Sequence, residues 1–327
     1  MKTSAREWKR WAAVAAMTCL TAAAEAAVLP GPVVSPEWVA AHRDAVTILA
    51  VHNSASEFSA EPKYTTDPKS GKQSLSEVGG HIPGALLLEF GKTRVERVID
   101  GKKISGMLPE ASQFEATLQA AGVPAGMPIV IVTPGVAPED LDTAARVYWS
   151  IKYYGGTDLA VLDGGLARWL EEGRPVESSA PGGKTGDWKA GAVRTSLVAD
   201  SAEVAKAAHS NVQLIDARPA AFFYGLQKRP AVAAAGHIAG AMDFPAELRT
   251  RPTGLSQRFL DKEEYIGLFR SLGISASKPA ITYCNTGHLA SGAWFVMSEI
   301  VGNAHAAVYD GSMLEWAAEQ RPVVAIP

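Results

Sequence analysis

Short, nearly unbroken apolar runs alternate with stretches of helical spacing along most of this chain. In the first half, Val46–Val51 and Ile129–Thr133 predict buried strands, while Phe114–Ala121 and Leu141–Tyr154 predict helices. In the second half, strands are predicted at Val212–Ile215, Ala280–Tyr283 and Ala306–Tyr309, and helices at Ser201–Ala208, Lys262–Leu272, Gly287–Val301 and Met313–Gln320. Strands that are apolar throughout are buried on both faces, and their alternation with helices predicts a parallel sheet with helices on both sides. Ligands of such sheets gather beyond the carboxyl ends of the strands.

The pattern occurs twice. Val161-Leu162-Asp163-Gly164-Gly165-Leu166-Ala167-Arg168-Trp169 recurs as Val308-Tyr309-Asp310-Gly311-Ser312-Met313-Leu314-Glu315-Trp316, and both copies run on to Arg-Pro-Val. Upstream, Gly80-His81-Ile82-Pro83-Gly84-Ala85 recurs as Gly236-His237-Ile238-Ala239-Gly240-Ala241. Two motifs repeated in the same order imply two related domains. The Pro- and Gly-rich stretch around Pro181-Gly182-Gly183-Lys184 reads as the linker between them.

The start of the chain breaks the pattern. Residues 1–26 combine four cations, an uncharged apolar stretch and Ala24-Glu25-Ala26, as in a cleaved export signal. The apolar stretch falls short of the ~20 residues of a membrane span. The expectation is a periplasmic or secreted protein with no membrane anchor after cleavage. Losing four cations and two acids takes the formal charge from −3 to −5, which gives no electrostatic case for nucleic acid or anionic lipid. It also takes the cysteine count from two to one, leaving Cys284 unable to form an internal disulfide. An unpaired cysteine kept in an oxidising compartment suggests a reactive thiol.

Cys284 ends an apolar run and is followed by Asn285-Thr286-Gly287-His288-Leu289-Ala290, a glycine-containing turn that opens a helical stretch. Backbone N–H groups at such a turn favour an anion, here a thiolate or persulfide. The plain alternative for a lone cysteine is a small apolar residue closing a strand. No His or acidic cluster has metal-ligand spacing and no phosphate loop is present, so no metal and no cofactor are expected.

These motifs carry a resemblance. With Gly-His-Ile-x-Gly-Ala, Asp-Gly-Gly/Ser-x-x-x-Trp and Cys-x-x-Gly-x-x-Ala in family order, the chain resembles the tandem-domain rhodaneses, the thiosulfate or 3-mercaptopyruvate sulfurtransferases, over nearly all of the sequence after the leader. The resemblance implies an α/β chain of two rhodanese-like domains, each a mainly parallel sheet with helices on both faces. It divides the chain into a first domain without nucleophile (34–176), a linker (177–197) and a catalytic domain (198–325). Thr133 stands where Cys284 does in the second copy. The implied reaction moves sulfur from a small-molecule donor (thiosulfate, mercaptopyruvate or polysulfide) to a thiophilic acceptor such as cyanide, a thiol or a protein, through a Cys284 persulfide. Residues 285–290 would line the persulfide loop.

Two cations usual in the family are missing. Thr286 stands where thiosulfate enzymes have a basic residue, and Phe222 where both subgroups have an arginine. Arg218, Lys228, Arg229 and Arg249 are the candidates to bind the donor instead. His81, His237, Asp163 and Asp310 recur in both copies, which favours structural roles. A non-turnover sulfur carrier or sulfane-sulfur-binding module is the alternative reading. A related cysteine phosphatase would need an arginine where Ala290 and Ser291 stand.

Overall fold

The structure is a computed structural model that describes residues 28–207 and 209–326. The expected leader, with Cys19, lies outside the described residues.

Two five-stranded parallel sheets form the frame. Across the first, the strand order is Val33–Val34, Leu159–Leu162, Ile129–Val132, Thr47–His52 and Leu86–Glu89. The second repeats that order with Val198–Ala199, Ala306–Tyr309, Ala280–Tyr283, Gln213–Asp216 and Met242–Asp243. Neighbours are parallel throughout, with Leu49 opposite Ile131 in one sheet and Ile215 opposite Thr282 in the other. The duplicated motifs are therefore a duplicated topology.

Side chains alternate between faces along each strand, and both faces are apolar because both are covered. Ile48, Ala50, Val130 and Val132 point toward one helix layer, with Val39, Leu166 and Trp169. Leu49, Val51, Ile129 and Ile131 point the other way, toward Ala144, Val147 and Tyr148 of the helix Pro138–Tyr153. The second sheet is built likewise, with Leu214, Ile281 and Tyr309 packing on Met313 and Trp316 on its outer face. Its inner face adds Ile215, Ala280 and Val308 to the same cluster as the inner face of the first sheet. Helices Pro138–Tyr153 and His288–Phe295 meet there, so the two sheets share one continuous core. Trp149 and Trp294 are fully buried in it.

Residues 177–197 run along the first sheet's helices rather than hanging free. Trp188 is buried in the shared core, and Ala190 donates its N–H to Glu115 Oε2 at 3.0 Å.

Three antiparallel hairpins, within Lys63–Glu77, Val95–Met107 and Thr250–Phe259, are not signalled by apolar periodicity. The first is almost wholly exposed, so its alternating faces carry no hydrophobic pattern. The other two each reach across to the opposite domain. The helical stretch expected over 287–301 is also divided: an α-helix to Phe295, then a π-turn over Val296–Val301 ended by left-handed Gly302.

Candidate functional site

Cys284 directly follows the strand Ala280–Tyr283, at its carboxyl end, and is 1% exposed. The chain turns through Asn285 and Thr286 to Gly287, which caps the helix His288–Phe295 with φ at 75°. A Cβ on Gly287 would stand 2.4 Å from Asp310 Oδ1 and 2.6 Å from Arg146 Nη1, so the loop closes against that ion pair and only glycine fits.

Ser312 fixes the loop from its other side. Its Oγ accepts the N–H groups of Cys284 (3.0 Å) and Gly287 (3.1 Å) and donates to Tyr309 O (2.7 Å). Ser312 holds a left-handed φ of 51°, a strained setting for a residue with a Cβ. The N–H of Gly287, expected among the anion donors, is thus already engaged. Those of Asn285, Thr286, His288, Leu289 and Ala290 have no hydrogen-bond partner among the described residues. They lie at a helix start, where unpaired donors and the helix dipole both favour negative charge.

The first domain closes over this loop. Gly106, near the end of the hairpin Val95–Met107, packs so tightly on Thr286 that an added Cβ would lie 3.1 Å from Thr286 Cβ. Arg146 donates from Nη1 to Asp310 Oδ1 at 2.5 Å and from Nη2 to Gly106 O at 3.1 Å. Leu108 N–H donates to Asp310 Oδ2 at 2.8 Å. Asp310, expected to have a structural role, latches the two domains together beside the loop.

His288 has its Nε2 2.8 Å from Thr143 Oγ1, and its ring 4.9 Å from the ring of Phe90. Burial, with Arg94 and Arg146 nearby, pushes its pKa down to about 3, so it is neutral across the physiological range. Both contacts are to first-domain residues.

The four expected donor-binding cations divide. Arg218 is 2% exposed, paired with Asp216 at 2.5 Å, and braces Gly236 O. Arg249 forms a two-pronged pair with Asp142 of the first domain, at 3.1 and 2.7 Å, and donates to the carbonyls of Ala217 and Phe244. Lys228 donates to Val232 O within its own loop. Arg229 is exposed, has no side-chain partner among the described residues, and lies close enough to act on His288 and Arg94. Arg94, of the first domain, stacks over the Phe90 ring, which itself packs on His288. Sequence reasoning did not single it out, because it sits in a polar segment of the domain that lacks the nucleophile.

The recurring residues repeat their geometry. His81 and His237 each use Nδ1 on a backbone carbonyl, of Phe58 (3.0 Å) and Phe223 (2.8 Å), and stack on the same phenylalanine. Asp163 accepts Phe259 N–H from the second-domain hairpin, as Asp310 accepts Leu108 N–H from the first. Leu166 N bonds Thr133 O just as Met313 N bonds Cys284 O, so the two strand ends are equivalent positions.

Residues 200–319 match the family described as "Rhodanese-like domain". A protein of Saccharopolyspora erythraea is 30% identical over 244 residues, which is 73% of this chain and 82% of that protein. The chain belongs to the rhodanese family of sulfurtransferases. Among its relatives in that family is the 3-mercaptopyruvate sulfurtransferase of Escherichia coli, 28% identical over 87% of this chain and 94% of the relative. The solved structure of Escherichia coli SseA superposes with a TM-score of 0.68 at 24% identity, covering 86% of this chain and 98% of the other, and shows the shared fold. In this rhodanese, Thr133 fills the strand end that carries Cys284 in the second domain, and its Oγ1 is buried with no hydrogen-bond partner among the described residues.

Proposed function

We propose that the protein transfers sulfur from a small donor to a thiophilic acceptor, with Cys284 carrying the sulfur as a persulfide. The observation that carries this reading is the placement of Cys284. It lies at a parallel-strand end beside five N–H groups with no hydrogen-bond partner among the described residues, under a loop clamped by Ser312 and the Arg146–Asp310 pair.

In the first half-reaction the Cys284 thiolate attacks the outer sulfur of the donor. A new S–S bond forms, the donor's bond to that sulfur breaks, and the leaving group departs with the electron pair, as sulfite from thiosulfate. The persulfide's terminal sulfur then holds the negative charge, facing the loop N–H groups, which act as charge-assisted donors. In the second half-reaction the acceptor attacks that terminal sulfur and the Cys284 thiolate is released, giving ping-pong kinetics. His288 is neutral and hydrogen-bonded to Thr143; it shapes the wall and exchanges no proton in this scheme.

We infer that residues 1–26 direct export and that the reaction takes place in the periplasm or outside the cell. The sequence of the leader supports this reading.

The test is intact mass after exposure to thiosulfate, 3-mercaptopyruvate or polysulfide, followed by turnover with cyanide. A sulfur-sized adduct that is missing from Cys284→Ser, together with thiocyanate production, is expected. An adduct without turnover would instead indicate a sulfur carrier, and an adduct surviving in the variant would refute the assignment.

A further inference from the structure

Three arginines around the loop are matched to buried carboxylates: Arg218 to Asp216, Arg249 to Asp142 and Arg146 to Asp310. Arg94 is different. It stands at the root of the first-domain hairpin, with its guanidinium carbon 4.1 Å from the centre of the Phe90 ring. Phe90 in turn faces His288, the first residue of the helix after the persulfide loop. Arg94 Nε is buried and has no hydrogen-bond partner, and Arg94 takes part in no ion pair among the described residues. The acids around it are committed elsewhere: Asp310 to Arg146, and Glu89 to Lys92 at 2.6 Å. A partly desolvated cation without a counter-ion is unfavourable, and an anion entering beside it removes that cost. A guanidinium offers a planar set of donors that fits an oxyanion.

We propose that Arg94, supplied by the first domain, holds the anionic end of the sulfur donor in place of the second-domain cations absent at Thr286 and Phe222. This rests on Cys284 being the sulfur acceptor. The donor class it selects is a small molecule with an oxyanion close to the transferred sulfur, a sulfonate or a carboxylate. The first domain, which has no nucleophile, thereby sets donor specificity. Arg229, exposed and therefore screened by water, adds a weaker long-range attraction.

The experiment compares the full-length mature protein with Arg94→Gln, Arg94→Lys and Arg229→Gln. Cys284 loading by thiosulfate and by 3-mercaptopyruvate is followed by quenched intact mass. Alkylation of Cys284 by iodoacetate and by uncharged iodoacetamide gives a second pair of reagents that differ in charge. In Arg94→Gln, the ratio of anionic-donor loading to iodoacetamide alkylation should fall ~10–100-fold, and the iodoacetate-to-iodoacetamide ratio should fall with it. Arg94→Lys should recover part of both, and Arg229→Gln should change them less than ~3-fold. Unchanged ratios in Arg94→Gln, an equal loss with charged and uncharged reagents, or a larger drop in Arg229→Gln would overturn the proposal. Thiosulfate against mercaptopyruvate separates a sulfonate from a carboxylate preference. If the wild-type thiol is loaded by no donor, the Cys284 reading itself fails and takes this one with it; normal loading with unchanged ratios defeats Arg94 alone.

Discussion

The Arg146–Asp310 latch gives the sharpest stability prediction. Arg146 is 0% exposed and Asp310 3% exposed, and their contact is 2.5 Å. Replacing Arg146 by Met removes the cation and leaves Asp310 as a buried carboxylate whose one remaining N–H partner among the described residues is Leu108. Removing one member of a buried pair costs ~3–5 kcal/mol, because the other charge stays out of water. The Gly106 carbonyl loses a donor as well. Asp310→Asn keeps an acceptor for Leu108 but leaves Arg146 charged and unmatched, so it should cost a similar amount. In the double variant neither charge remains, and the loss should fall ~2–3 kcal/mol short of the sum of the singles. Urea unfolding followed by tryptophan fluorescence measures these values. The latch lies against Gly287 and the hairpin contact with Thr286, so each single variant should also slow Cys284 loading by thiosulfate. A loss under ~1 kcal/mol for Arg146→Met, or additive losses in the double variant, would refute the latch.

Three further outcomes follow from the same geometry. Gly287→Ala places a methyl group against Asp310 and Arg146 at a left-handed φ that itself costs ~1–2 kcal/mol, and should reduce loading at least ~100-fold in the intact-mass assay. Ser312→Ala leaves the N–H groups of Cys284 and Gly287 without their acceptor, an expected loss of ~2–4 kcal/mol in the urea midpoint analysis. His52 is 7% exposed, and burial pushes its pKa down to about 4, below the unfolded value of 6.5. The unfolded chain therefore binds the proton first, and stability from neutral His52 is complete above pH 6.5 and lost as pH falls toward 4, by ~3 kcal/mol. His52→Gln should flatten that part of the stability–pH curve, whereas an unchanged slope would contradict it.

The frame was readable because burial on both sheet faces writes itself into composition. Runs such as Ala280–Tyr283 admit no polar residue but threonine, and Thr282 satisfies its hydroxyl on Ala290 O. Cys284 could be placed because it ends such a run and precedes a glycine that the geometry requires. The cations were harder. Sequence shows that Arg249 is charged but not that Asp142, in the other domain, neutralises it. Arg94 was missed for the opposite reason: its neighbours in the chain, Lys92, Val95 and Glu96, are partly or fully exposed and form no periodic pattern. Its position depends on the hairpin folding across the domain boundary, which no local rule encodes. The role of Ser312 was likewise hidden, since the repeat aligns it with Gly165 and only the fold shows its hydroxyl beneath the loop.

The central claim is that sulfur resides on Cys284. The most direct measurement is intact mass with peptide mapping after a single exposure to donor, then to cyanide. One sulfur atom is expected to be added at Cys284 and removed completely by cyanide, with an equal amount of thiocyanate formed and no adduct in Cys284→Ser. An unmodified wild-type protein, or sulfur retained in Cys284→Ser, would contradict it.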